Sequence, residues 1–186
     1  VDGRLEDLSV ERQVELKPLF TGGLVAEDRE SVVAFQQKTA ELYRAVMGSD
    51  RAAGEIEGRI DHLLAAIAAT PGAGEAQGTA LRALKARMMN LRVKLNGDRT
   101  VTSRQEPAPM ALTSRIGTIA YGSWQSQSDV TGNFRDSLAV AEAQFPPILA
   151  ELKSVANELA AVEAEMEAAG APWTPSRLPD WPRTDG

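Results

Sequence analysis

The chain has 186 residues and no cysteine, which excludes a disulfide framework, a thiolate zinc site and a cysteine nucleophile. With one histidine, His62, a histidine-rich metal site and a second imidazole are excluded as well. Aromatic residues make up only 5%, while alanine and leucine are abundant, and this favours helices packed through aliphatic seams over a β-sandwich. No apolar run approaches the ~18 residues of a membrane span. Positive charge is in short supply, with 20 Lys and Arg against 26 Asp and Glu, a net charge of −6. A phosphate-binding surface needs clustered cations, so nucleic acid is not an expected partner. The densest basic stretch, Arg82, Lys85, Arg87, Arg92 and Lys94, occupies mostly the outward positions of a helix and reads as a solvated face.

What is present is a chain in three parts. Residues 1–24 read as the end of a preceding β-domain or a linker. In Val10-Glu-Arg-Gln-Val-Glu-Leu-Lys-Pro18, Val14 and Leu16 alternate with polar residues at the period of a strand, and Asp2-Gly3 is a hairpin-type turn signal. A short helix over residues 8–16 is the competing reading. Residues 25–170 read as an all-α unit, an antiparallel four-helix bundle with two long and two short helices. The first helix, from about Glu27 to Thr70, carries a seam through Phe35, Thr39, Leu42, Val46, Ser49, Ala53, Ile56, Ile60, Leu63 and Ile67, stepping by four and three. Gly48, Gly54 and Gly58 weaken it, and a break or bend near Met47–Arg51 is allowed for. After a linker at Gly72–Gly78, the second helix runs from Thr79 to Asn96 on Leu81, Leu84, Met88, Leu91 and Leu95. Residues 98–109 read as a loop. The third helix, Met110 to Gln125, places Leu112, Ile116, Ile119 and Trp124 inward.

The fourth helix has the longest seam: Phe134, Leu138, Ala141, Phe145, Ile148, Leu152, Val155, Leu159, Val162 and Met166. Its register passes Pro146-Pro147 without a slip, so one kinked helix is expected rather than two. Gly170 ends it. The two long helices are expected to run antiparallel and to project past the short ones as a two-helix stalk, whose uncovered seam would favour self-association. The tail, residues 171–186, has four prolines together with Trp173, Leu178 and Trp181, and is expected to pack back on the bundle or on a partner.

No constellation of catalytic, cofactor-binding or metal-ligating residues emerges. Adjacent residues on a helix do not face each other, so Asp61 and His62 do not make a catalytic pair, and His62 reads as a surface or seam-edge residue. Glu158, Glu163, Glu165 and Glu167 lack the Glu-x-x-His pattern of a di-iron bundle and read as a solvated face. The hydroxyls in Ser123-Trp-Gln-Ser-Gln-Ser128 have no base within sequence reach. Pro71-Gly-Ala-Gly74 lacks the Gly-Lys-Ser/Thr ending of a phosphate loop. Trp124, Trp173 and Trp181 could line a sugar site, but aromatic packing of loops on the bundle is the simpler reading.

The stretch Ala169-Gly-Ala-Pro-Trp-Thr-Pro-Ser-Arg-Leu-Pro-Asp-Trp181 resembles the ending of large secreted bacterial proteins with sortilin-like, BNR-repeat β-propellers, often labelled glycosyl hydrolases. Leu112-Thr-Ser-Arg-Ile-Gly-Thr-Ile-Ala-Tyr-Gly-Ser-Trp124, followed by the long Asp136–Ala169 helix, is similar to their terminal helical region. Val1-Asp-Gly-Arg and Arg12-Gln-Val-Glu-Leu-Lys-Pro18 resemble the last hairpin of the Ig-like domain that precedes those helices, although Leu19-Phe20-Thr21 stands where an Asp-Pro-Arg is expected. The resemblance implies an extracytoplasmic bacterial location; the absence of cysteine fits that and many cytosolic proteins alike, and a chain that does not begin with Met reads as a mature or excised piece. It implies that any catalytic or ligand residue lies in the propeller, so none is carried onto these positions.

The expected function is a non-catalytic interaction or assembly module, with no cofactor. Trp173, Leu178, Trp181 and Trp124 are the candidate docking residues. The partner is another protein or the rest of the same polypeptide. Two alternatives stand: a ligand-binding bundle with a small molecule near Pro146-Pro147, and an accessory domain of a glycosidase-like enzyme whose site lies in other domains. An enclosed polar pocket at the prolines would favour the first of these, and a dry, filled core would count against it.

Overall fold

The computed structural model describes residues 14–15 and 25–179. The expected strand or hairpin in residues 1–24 lies outside the described residues, apart from Val14 and Glu15, which are irregular; Trp181 lies outside them too. The described residues form an all-α bundle: α1 (Arg29–Ala66), α2 (Glu75–Asn96), α3 (Arg99–Ser103), α4 (Leu112–Trp124) and α5 (Gly132–Ala168). The two long and two short helices are those expected from the seams, and α3 is an addition.

Helix α1 starts where Asp28 accepts a hydrogen bond from the Ser31 N–H at 3.0 Å, which satisfies one of the donors left unpaired at the helix end. It continues through Gly48, Gly54 and Gly58, so the break allowed for near Met47–Arg51 does not occur. Burial of Val46, Ser49, Ala53 and Ile56 holds that stretch helical despite its weak intrinsic preference. A single 3₁₀ turn, Ile67–Ala69, follows, and the Thr70 hydroxyl donates to the Ala66 carbonyl at 2.8 Å.

Helix α2 begins four residues earlier than its apolar stripe indicates. The Gly74 N–H donates to Gln77 Oε1 at 3.0 Å, and this cap, rather than Thr79, sets the start. The flexible linker expected over Gly72–Gly78 is therefore only the turn before Glu75. At the other end Gly97, with φ +79°, donates its N–H to the Val93 carbonyl. Next, Asp98 Oδ1 accepts from both the N–H and the hydroxyl of Thr100, at 2.8 and 2.7 Å, and nucleates α3 inside the segment expected to be a loop. Helix α5 is capped by Thr131, passes through Pro146 and Pro147 without ending, and is closed at Gly170, φ +89°.

Ion pairs give the helix directions. Lys38 pairs with Glu142 and Arg59 with Glu163, both at a sequence separation of 104, so α1 and α5 run parallel. This overturns the expected antiparallel stalk. Helix α2 runs against both: Lys85 meets Asp61 and Arg92 meets Asp50 on α1, while Arg87 meets Glu151 and Glu158 on α5. Helix α4 also opposes α1, with Gln36 Nε2 donating to the Ser123 carbonyl at 2.8 Å. The Thr113 hydroxyl donates to the Leu95 carbonyl at 2.8 Å, seating the start of α4 on the end of α2. The short helices thus form one interrupted column against the parallel long pair, and they cover both long seams. Every seam residue of α2 is buried, as are Leu138 through Met166 along α5. Among the described residues the α5 seam from Leu138 to Met166 is therefore not left uncovered, while Phe35, Leu42 and Phe134 stay half-buried.

Candidate interaction surfaces

The residues with catalytic potential are held apart. Asp61 turns to Lys85 at 2.6 Å, while its neighbour His62 is half-buried at the seam edge. Ser123 is buried, its hydroxyl donating to the Ala120 carbonyl at 3.1 Å. The hydroxyls of Ser126 and Ser128 pair with each other at 2.6 Å. Among the described residues no group of three or more His, Cys, Asp or Glu could hold a metal ion. Lys85, Arg87 and Arg92, from the densest basic stretch, are engaged with carboxylates of neighbouring helices rather than presented as a free cationic face. No helix among the described residues is long and apolar enough to cross a membrane.

The acidic cluster divides into two kinds. Glu158 and Glu165 are exposed, in keeping with a solvated face, whereas Glu163 is 0% exposed and Glu167 is buried. The solvated-face reading therefore fails for these two. Val162 is a seam residue and Glu163 follows it on the flank nearest α1, where Arg59 reaches it. Arg59 Nε donates to Glu163 Oε1 at 2.7 Å, and a second guanidinium nitrogen donates to Oε2. From the tail, Arg177 donates to Glu163 Oε2 and to Glu167 Oε2, both at 2.9 Å. Burial pushes the Glu163 carboxyl up. The hydrogen bonds from Arg59 and Arg177, with the Arg59 charge, outweigh it and hold the carboxyl below its ordinary 4.5.

That network is what attaches the tail. Ala171 and Thr174 are buried, and Trp173 is half-buried beneath the Arg177 guanidinium, 5.7 Å from its ring centre. Ala171, Thr174 and Arg177 thus hold the described part of the tail against the bundle, and Arg177, which the sequence reading passed over, is the anchor. Leu178 is 87% exposed and takes no part in this packing.

Trp124 does not face inward. The α4 seam of Leu112, Ile116 and Ile119 continues by a step of four to Ser123, which is buried, and the next residue points about 100° away. Trp124 is 51% exposed and Tyr121 55%. They form edge-to-face contacts with each other (5.7 Å) and with Tyr43 of α1 (6.4 and 6.1 Å). The Tyr43 and Tyr121 hydroxyls lie 3.2 Å apart, and that bond raises the Tyr43 phenol above its ordinary value of 10.0. The sequence reading missed both tyrosines. A spacing of three from Tyr121 to Trp124 was the available signal for a shared face.

A groove of about 720 Å³ lies where the column is interrupted. Its walls include Val93 and Lys94 of α2, Val101 of α3, Met110, and Ala143 and Pro147 of α5. It is neither the enclosed polar pocket nor the filled core set out as alternatives: it is half-open and mostly apolar. A second, shallower apolar groove of about 440 Å³ runs between α1 and α5, beside Gly48, Ala52, Leu149 and Lys153.

Compared with protein families, with curated proteins and with solved structures, the chain finds no match. Its surfaces must therefore be read from their own chemistry. The aromatic cluster offers edges, faces and two hydroxyls on a rigid helical support, suited to packing against another macromolecule. The groove offers an apolar wall with a few polar groups at its rim, suited to a small amphipathic molecule.

Proposed function

We propose that the chain is a non-catalytic helical interaction module, the C-terminal helical part of a larger extracytoplasmic bacterial protein with a sortilin-like β-propeller. The observation that carries the interaction reading is the Tyr43, Tyr121 and Trp124 cluster. Two of these three large aromatics are more than half exposed on a bundle whose seams are already covered. The core does not need their exposed faces, and burying them against a second surface would be favourable. Leu178 adds an exposed apolar side chain on the attached tail. The partner in this reading is another domain of the same polypeptide or a separate protein.

A photo-crosslinking residue placed at Trp124 in the intact native polypeptide tests this. Adducts that map to one surface of a propeller, an Ig-like domain or a single protein are the expected result, and Tyr121→Ser should abolish them. Absence of any specific adduct, or turnover of a substrate by this chain alone, would overturn the reading. A second reading, a ligand-binding bundle, is supported by the groove beside Pro147.

A further inference from the structure

Two prolines in succession remove the α-helical donors of the Glu142 and Ala143 carbonyls, and Ala143 loses its 3₁₀ donor as well. In an α-helix the Ala143 carbonyl would accept from residue 147, and in a 3₁₀ turn from residue 146; both are proline and neither has an N–H. Ala143 is one of the residues lining the 720 Å³ groove, as is Pro147. Ala143 is exposed at the groove, so a main-chain acceptor lacking both usual donors is accessible there to an incoming N–H or O–H group.

The groove is also lined by α2, which supplies Lys94, and by Val101 of α3 and the Asp98 that caps that helix; Lys94 and Asp98 are its two charged residues. Their states differ. Asp98 is committed to capping α3 through Thr100, which holds its carboxyl below the ordinary value. Lys94 is exposed and forms no ion pair or hydrogen bond with any described residue, unlike Lys85, Arg87 and Arg92 on the same helix. Around them, Val93 and Met110 are large apolar side chains left about half exposed, and Val101, Pro109 and Ile148 continue the apolar lining. The volume falls within the ~300–1,000 Å³ of small-molecule sites.

We propose that this groove binds a free, single-chain amphipathic anion that carries an N–H or O–H near its head group, the chemistry of an N-acylated amino acid. This rests on the ligand-binding reading above. The acyl chain lies along Val93, Met110, Pro147 and Ile148. The amide N–H donates to the Ala143 carbonyl, and the carboxylate meets the Lys94 ammonium.

The test is calorimetric titration of the full chain with N-dodecanoylglycine, dodecanoate and dodecyltrimethylammonium, each below its micelle-forming concentration. The expected order is N-dodecanoylglycine tightest, dodecanoate weaker and the cation weakest. Lys94→Glu, an exposed change, should weaken the two anions by about tenfold or more and leave the cation unweakened. Pro147→Ala, which returns a donor to Ala143, should erase the advantage of N-dodecanoylglycine over dodecanoate; circular dichroism checks that both variants fold. Equal binding of anion and cation, unchanged by Lys94→Glu, overturns the anionic assignment while the ligand-binding reading stands. No saturable binding of any amphiphile overturns both. Binding only to phosphatidylglycerol vesicles, with none of the free compounds, overturns the assignment to a free ligand.

Discussion

Glu163 is a buried carboxylate at which two arginines from different parts of the chain meet. A fully buried carboxylate is tolerable only when paired and hydrogen-bonded, and here two guanidinium groups from α1 and the tail supply both. Glu163→Gln leaves Arg59 without its paired carboxylate and leaves Arg177 with Glu167 alone; because both arginines are partly hydrated, the expected loss is about 2–3 kcal/mol in urea unfolding. Glu158→Gln, on a carboxylate half exposed to water, should cost about 1 kcal/mol or less. The pH dependence has a definite sign. The folded carboxyl lies below its ordinary 4.5, so its contribution is complete above that value and is lost as pH falls through the lowered one. The stability gap between wild type and Glu163→Gln should therefore be constant at neutral pH and narrow on acidification below 4.5. At Gly122, a Cβ would come within 2.6 Å of the Phe134 ring, whereas at Gly117 it would meet nothing within 4 Å. Gly122→Ala should destabilise by about 1–2 kcal/mol as Phe134 is displaced, and Gly117→Ala should stabilise by about 0.5–1 kcal/mol; thermal melts of both check the pair.

At the scale of elements, the seams were legible because apolar steps of three and four report the face of a helix directly. All five stripe positions of α2, four leucines and Met88, and the α5 seam positions from Leu138 to Met166 are buried as read. The ends were less legible. Helix α2 starts at a cap made by Gln77 reaching back to Gly74, and α3 rests on Asp98 and Thr100; both are side-chain to main-chain bonds without an apolar period. Trp124 was misassigned because a large aromatic at the end of a seam was given the inward position that belongs to Ser123. The three glycines of α1 have open space where a Cβ would be. Gly48→Ala, Gly54→Ala and Gly58→Ala should each stabilise the fold by about 0.5–1 kcal/mol, raising the melting temperature additively when combined. A loss of stability at any one would mean that α1 needs flexibility there.

At the scale of the molecule, the parallel alignment of α1 and α5 decides which surfaces exist. Each long helix spans about 55 Å at ~1.5 Å per residue. Labels at exposed Arg29 and Arg135, near the starts of α1 and α5, should lie roughly 20 Å apart in this arrangement; an antiparallel pair would hold them more than ~40 Å apart. The cysteine-free chain lets Arg29→Cys and Arg135→Cys carry spin labels without background, and electron–electron resonance reads the distance. The same alignment requires α2 and α4 to share one column. The interruption between them creates the groove beside Pro147, and α4 and α1 together present Tyr43, Tyr121 and Trp124 on one face.

The sequence by itself determined the helical class, the two long and two short helices, their buried faces and the passage of α5 through its prolines. Each of these follows from local periodicity and covalent geometry. Helix direction, the burial of Glu163, the anchoring role of Arg177, the aromatic cluster and the groove were decided only by the tertiary structure. They depend on which residues meet across separations such as the 104 between Arg59 and Glu163. A seam reports that a face is covered; only packing specifies what covers it.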